Sequence, residues 1–160
     1  MDIHKTKKGK LRHKRRVPAF RQIEANDCGP TCIQMVTAYY GMKYPLKTIK
    51  RHCDMTRLGI SLRDVTHCCS ALGFEVESVT VNISEAHRMP LPAILYFKKG
   101  HFVVLERMRQ RGDRYVYTIV DPAYGRVVMD EDTLTDKWMS NGWGGWLLSW
   151  LQTSGSVLLR

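Results

Sequence analysis

In the stretch FRQIEANDCGPTCIQMVTAYYG, a cysteine, Cys28, follows a glutamine, Gln22, and stands between a turn and the start of a helix. Farther along, His101 opens the apolar run HFVVLERM and Asp121 closes the run YVYTIV. These are the residue types of nucleophilic catalysis. A thiol at a helix N-terminus feels the positive end of the peptide dipoles, which favours thiolate, and a neighbouring imidazolium favours it further. Such a nucleophile also needs a base held by a third group and donors aimed at the developing oxyanion. Cys28, His101 and Asp121 fill the first three roles, and the backbone N–H of Cys28 with the side-chain NH2 of Gln22 could fill the fourth. The same residues allow a plainer alternative, a small buried cysteine at a helix start beside an incidental histidine. Asp121-Pro122 likewise reads by itself as an ordinary strand-ending turn.

The elements that must position these groups follow from periodicity. Asn26 or Asp27 is expected to cap a first helix whose opening turn takes Gly29 and Pro30 and whose inner face carries Cys32, Met35, Val36 and Tyr39/Tyr40, up to Gly41. Leu46, Ile49 and Cys53 suggest a second, short helix. Ser61 and Asp64 form a capping box for a third, with Leu62, Val65, Cys68/Cys69 and Leu72 inward and Gly73 at its end. The period then changes. FEVESVTV alternates, PAILYF is continuously apolar, and HFVVLERM and YVYTIV are rich in branched and aromatic residues, with turn residues between them. The fold class expected is α+β, with N-terminal helices packed on a mostly antiparallel sheet, in one domain without internal repeats. A hairpin between the last two strands, centred near Arg111 or Gly112, sets His101 opposite Asp121 at one sheet edge, a place from which residues face a substrate rather than the core.

Composition bounds the rest. With 160 residues, 44% hydrophobic and 25% charged, the chain has the makings of one globular core. No run is long enough for a membrane span, and the basic, apolar-poor N-terminus is not a secretory signal. Five cysteines in irregular spacing, with no CxxC pair, fit a reducing cytosol rather than a disulfide framework. The net charge of +10 is concentrated: eight basic residues lie in positions 1–16 against the single acid Asp2. A specific nucleic-acid partner is therefore not expected, since such a role calls for a basic face on the globular part. The arm, 1–16, could instead contact anionic headgroups. The domain proper is read as 17–150 and a tail or linker as 151–160. Cys32, one turn past Cys28, reads as core rather than a resolving thiol. His52-Cys53 and His67-Cys68-Cys69 lack zinc spacing and read as helix packing, so no metal or other cofactor is expected. The segment NGWGGWLLSW is expected to complete the sheet, with its tryptophans also available to a partner.

Together, RQIEANDCGPTCIQMVTAYYG, GISLRDVTHCCSALGFEV, LPAILYFKKGHFVVL and IVDPAYGRV resemble the C39 peptidase domain, the papain-like cysteine peptidase at the N-terminus of peptidase-containing ABC transporters of bacteria. The resemblance runs in order from about Phe20 to about Trp150. Its most specific parts are Q-x-E-A-x-D-C-G-P, G-H-F-V-V-L and D-P-A-x-G. It implies a papain-like fold, with Cys28 as nucleophile, His101 as general base and acid, Asp121 as the group that orients His101, and Gln22 as oxyanion donor.

The implied substrate is the leader of a bacteriocin or signalling-peptide precursor, cut after Gly-Gly or Gly-Ala and coupled to export. The implied partners are that leader and an ABC transporter, in cis or in trans, at the cytoplasmic face of the membrane. Non-peptidase relatives lose the cysteine and only hold the leader. A non-cleaving docking module is thus the alternative, and the presence of Cys28 argues against it. No Walker A pattern and no membrane spans follow the domain, so the expectation is either a domain separated from its exporter or a stand-alone peptidase.

Overall fold

A computed structural model describes residues 15–141 together with the backbone of 145–150. The expected order of helices and then strands is what the chain adopts. The N-terminal helices are α1 (Cys28–Tyr39), α2 (Leu46–Arg51) and α3 (Leu62–Ala71). The strands are β1 (Val76–Val81), β2 (Ala93–Phe97), β3 (His101–Arg111), β4 (Arg114–Asp121), β5 (Gly125–Asp130) and β6 (Gly145–Trp150), with α4 (Glu131–Trp138) between the last two. The capping box holds as read: Ser61 Oγ accepts from Asp64 N at 3.1 Å, and Asp64 Oδ2 accepts from Ser61 N at 3.1 Å.

Among the described residues the strands form one six-stranded sheet in the order β1-β6-β2-β3-β4-β5, every neighbouring pair antiparallel. Alternation divides its side chains between two layers. Phe102, Val104, Ile94 and Val120 join Cys32, Ile33, Met35, Val36 and Val65 from the helices. Val103, Leu105, Leu95, Tyr117 and Ile119 join Leu134 and Trp138 of α4 on the opposite face. Burying branched and aromatic side chains on both faces explains why β2, β3 and β4 read as apolar runs rather than as alternating ones.

Four sequence expectations are corrected or extended. First, Asp27 occupies the N-cap position of α1, yet neither its side chain nor that of Asn26 caps the helix. Asn26 Nδ2 donates to Thr56 O at 3.4 Å, and the Asp27 carboxylate turns to Lys50 Nζ at 2.8 Å. Second, the β3/β4 hairpin turns at Gly112-Asp113, with Gly112 at φ 64°, the glycine-first turn that matches strand twist. A bulge between Leu105 and Arg107 absorbs one residue. Val104 therefore pairs with Val120, and that register carried one step further sets Asp121 level with Val103 rather than with His101. Third, the C-terminal segment completes the sheet as expected, and it does so from within, as β6 inserts between β1 and β2. Fourth, β5 and α4 are elements that the periodicity reading passed over. Asp130 supplies a helix signal, since its Oδ1 accepts from Thr133 N at 2.8 Å.

The bulge also aims a carboxylate inward. Glu106, its side chain 5% exposed, takes both Nε (3.1 Å) and Nη2 (3.0 Å) of Arg126 on β5. Glu106 Oε1 accepts from Val17 N at 2.8 Å, while Arg126 Nη2 also donates to Val17 O. This fork clamps the chain entry onto the sheet at both backbone groups of Val17. Removing one partner of a buried ion pair strands the other charge. Arg126→Ala is accordingly expected to lower the unfolding free energy by about 3 kcal/mol, read as a shift in the urea midpoint with an unchanged slope. A loss below about 1 kcal/mol, the range of an exposed pair, would mean that water satisfies Glu106.

Candidate active site

The site lies where α1 begins and where β3 starts and β4 ends. His101 is the first residue of β3 and follows Gly100, whose φ of 76° turns the chain back from β2. Asp121 is the last residue of β4, and its carboxylate is held from its own turn: Ala123 N donates to Oδ1 at 2.8 Å. His101 Nε2 meets Asp121 Oδ1 at 2.8 Å, although the two are diagonal rather than directly opposed. A diagonal offset on one sheet face is within reach of a side chain as long as histidine.

With Nε2 committed to Asp121, the other ring nitrogen, Nδ1, is left for Cys28, which hydrogen-bonds the imidazole and the Phe102 N–H. Cys28 is the first residue of α1 and is 7% exposed. Gly29 makes this approach possible. A Cβ at that position would come within 2.7 Å of the Ile60 side chain and 3.3 Å of that of Phe102, so a larger residue would make Ile60 shift and press on the start of β3.

The electrostatics of the three groups are reciprocal. Burial pushes the Cys28 thiol up, but hydrogen bonds from His101 and the Phe102 N–H, with the charge of His101, outweigh it, and the net shift is downward. The carboxylate of Asp121, then the bond to Cys28, raise His101 to about 9 against the cost of burial. Burial opposes ionisation of Asp121, yet the bonds from His101, Ala123 N and Tyr124 N bring its pKa below the ordinary value. Histidine thus binds its proton more tightly than Cys28 does. The opposed shifts favour the proton on the imidazole and the sulfur as thiolate, the form of cysteine that attacks a carbonyl carbon.

Gln22 reaches the same place by a different route. Its backbone N–H donates to Pro122 O at 2.8 Å, and Arg21 Nη1 donates to Ala123 O at 2.6 Å, so the chain entry is laid against the turn that carries Asp121. Gln22, His101, Asp121 and Tyr124 line a cavity of about 580 Å³, with Lys98, Lys99 and Lys137 also in its wall. The Gln22 Nε2 group donates to Glu24 O at 3.1 Å and Ala25 O at 3.3 Å. Its hydrogens therefore hold the loop leading to Cys28, and donation to an oxyanion requires one of those bonds to be exchanged.

The other cysteines lie in the core. Cys32 is fully buried, which pushes its thiol well up, and Cys53 and Cys68 touch sulfur to sulfur at 2.8 Å between α2 and α3. Among the described residues no cluster of His, Cys, Asp and Glu is placed to hold a metal ion, and no helix is long and apolar enough to cross a membrane. The arm before residue 15 and the tail after 150 lie outside the described residues, as do the side chains of the 145–150 tryptophans.

The pH dependence follows from the shifts. His101, raised to about 9, contributes stability that is complete below its ordinary value near 6.5 and is lost as pH rises through about 9. Asp121, with a lowered pKa, contributes stability that is complete above its ordinary value and is lost in acid. The alkaline limb of kcat/KM is expected near pH 9. Asp121→Asn keeps a hydrogen-bond acceptor but removes the charge, and is expected to bring that limb toward neutrality by about one unit or more. A limb unmoved in Asp121→Asn would show that the carboxylate charge does not set the His101 proton.

The chain is similar to known proteins in both sequence and fold. The chain is 30% identical over 115 residues to the colicin V secretion/processing ATP-binding protein CvaB of Escherichia coli, and 28% identical over 125 residues to the probable microcin-H47 secretion/processing ATP-binding protein MchF of the same organism. Those alignments take in 72% and 78% of this chain but only 16% and 17% of the relatives, so the chain spans about one-sixth of their length. Among solved structures, a double glycine motif protease from an AMS/PCAT transporter, crystallised with the leader peptide, superposes with a TM-score of 0.76 at 26% identity. The match covers 88% of this chain and 94% of that one. The peptidase domain of Streptococcus ComA, at 20% identity and a TM-score of 0.70, shares the fold, with 83% of this chain and 98% of that one covered. The model of the peptidase C39 family matches residues 16–142, most of the chain, and the chain belongs to that family.

Proposed function

We propose that this domain is a cysteine endopeptidase that removes the leader from a peptide precursor by cutting after a pair of small residues, Gly-Gly or Gly-Ala, before export. The observation that carries the reading is the Cys28, His101 and Asp121 constellation, with the Nε2 to Oδ1 contact at 2.8 Å and the proton favoured on histidine. The reading is supported by the secretion/processing relatives and by the double glycine motif protease bound to a leader peptide.

The chemistry is derived from the groups present. The Cys28 thiolate attacks the scissile carbonyl carbon, forming a C–S bond while the carbonyl oxygen takes the negative charge. That oxygen is met by the Cys28 N–H, and by Gln22 once its amide releases a loop carbonyl. His101 gives its Nδ1 proton to the departing amine as the C–N bond breaks, leaving a thioester. His101, now neutral, takes a proton from water, whose oxygen attacks the thioester. The carboxylate product leaves, and the thiolate and imidazolium are restored. Asp121 keeps the ring oriented and stabilises its charge throughout.

Selectivity for a small pair by itself is modest, because single side-chain differences in a pocket are worth only about 1–3 kcal/mol. An amphipathic leader helix laid in a groove adds the affinity that a short small-residue motif lacks. The partner is proposed to be an ABC exporter, in cis or in trans, which places the domain at the cytoplasmic face of the membrane. The basic arm, 1–16, is proposed to touch the anionic lipid surface there.

The test is mass spectrometry of synthetic leader peptides ending in Gly-Gly or Gly-Ala followed by a short cargo, incubated with the protein under reducing conditions. A single cut directly after the pair, absent with Cys28→Ala, is expected. Cleavage undiminished in Cys28→Ala would refute the nucleophile. Peptide binding without a cut in the wild type would favour a docking module.

A further inference from the structure

The loop that delivers Cys28 is held from outside by a residue belonging to none of the family-like motifs. Asp27, immediately before Cys28, is 1% exposed, and its Oδ1 lies 2.8 Å from Nζ of Lys50 on α2. The other carboxylate oxygen, Oδ2, accepts from Glu24 N at 3.2 Å, while Asp27 N donates to Glu24 O at 3.1 Å. The same Glu24 carbonyl accepts from Gln22 Nε2, and Asp27 O accepts the first helical bond of α1, from Thr31 N at 2.9 Å. Lys50 also reaches Glu24 Oε2 at 3.2 Å. Asp27 is thus the joint between the Gln22 loop and the nucleophile's helix, and Lys50 is the cation that meets its carboxylate in a buried place.

We infer that Lys50 is a positioning residue for the peptidase reaction: by neutralising and anchoring Asp27, it fixes Gln22 relative to Cys28. The inference rests on the peptidase reading above. Two physical consequences follow from losing the cation. A buried carboxylate without its partner must take up a proton or open the loop to water, and either event loosens the Gln22 amide. If it stays charged, it stands one residue from the Cys28 sulfur and opposes thiolate formation. The groups facing the sulfur otherwise are His101, with Asp121 behind it, and the buried Cys32. Those facing Asp27 are Lys50 and Glu24, with Lys47 and Arg51 in the wall of the adjoining 470 Å³ cavity. Of these cations it is Lys50 that makes the contact with Asp27. The pKa of Lys50 is itself raised, chiefly by its bond to Asp27.

The test uses Lys50→Gln, which keeps a donor without the charge, Lys50→Arg, which keeps the charge, and Lys50→Gln combined with Asp27→Asn. In cleavage of a Gly-Gly peptide, Lys50→Gln is expected to lose about tenfold in kcat with KM changed less than about threefold. Lys50→Arg should stay within about threefold of wild type, and the double variant should recover part of the lost kcat, as coupled neighbours do. A second readout needs no substrate. The rate at which iodoacetamide alkylates Cys28 at pH 7, followed by mass spectrometry, should fall about threefold or more in Lys50→Gln and return in Lys50→Arg. Equal kcat and equal alkylation in folded Lys50→Gln, with only the melting temperature lowered, would overturn the assignment and leave Lys50 a structural cation. Should Lys50→Gln fail to fold, the double variant, which carries no buried charge, decides: kcat and alkylation at wild-type levels overturn the inference, and a fall in both upholds it. A wild-type protein that cleaves no peptide refutes the peptidase reading instead, and the alkylation arm still decides on Lys50.

Discussion

The contact between His101 Nε2 and Asp121 Oδ1 is the constraint around which the molecule is arranged. It spends one ring nitrogen and thereby assigns the other to Cys28, and it raises the histidine while the bond to His101 lowers the thiol, so that the pair favours the proton on nitrogen. Each partner is brought by a different kind of element. The imidazole comes from a strand start, the carboxylate from a strand end and its turn, and the thiol from a helix N-terminus. By alternation His101 and Asp121 continue the face that carries Val103, Leu105 and Ile119, whereas Cys28 belongs to the helical layer on the other side. They meet because the sheet ends there.

Two ion pairs, each with a buried carboxylate and a partly exposed cation, keep that meeting place in order. The Glu106 and Arg126 fork seizes both backbone groups of Val17, and the chain then runs to Arg21 and Gln22, each bonded to the turn after Asp121. The pair of Lys50 and Asp27 grips the other end of the same segment, just before Cys28. The segment from Val17 to Asp27 is thus pinned at entry and exit. That economy suits a site in which Gln22 and Cys28 lie on one continuous stretch, because small errors of placement in an active site are costly in rate.

Periodicity was informative wherever a side chain's fate depends on its own element. The capping box of Ser61 and Asp64, the buried stripe of α1 and the apolar runs of β2, β3 and β4 all follow from local pattern and burial. It failed where a residue's partner is distant. Asp27 has every local qualification for an N-cap, but Lys50, a residue of another helix, offers a full charge, and the carboxylate rotates to it. The hairpin estimate brought His101 and Asp121 together for a reason only partly right. A two-residue turn and the bulge at Glu106 shift the register, and the long imidazole spans the diagonal that results.

Sequence alone, then, determined the class of fold, the helices-first order, the four residues that gather at the sheet end, and the family those residues resemble, since each depends on types and spacings written along the chain. Tertiary structure decided what spacing does not encode. It set which ring nitrogen faces which partner, placed β6 between β1 and β2, and directed the Gln22 amide to the carbonyls of Glu24 and Ala25. It also brought the Ile60 side chain close against Gly29, a contact between segments far apart in the chain. The physical reason is common to all of these: hydrogen bonds and close packing are settled by distances of a few tenths of an ångström, and those distances exist only after the layers have met.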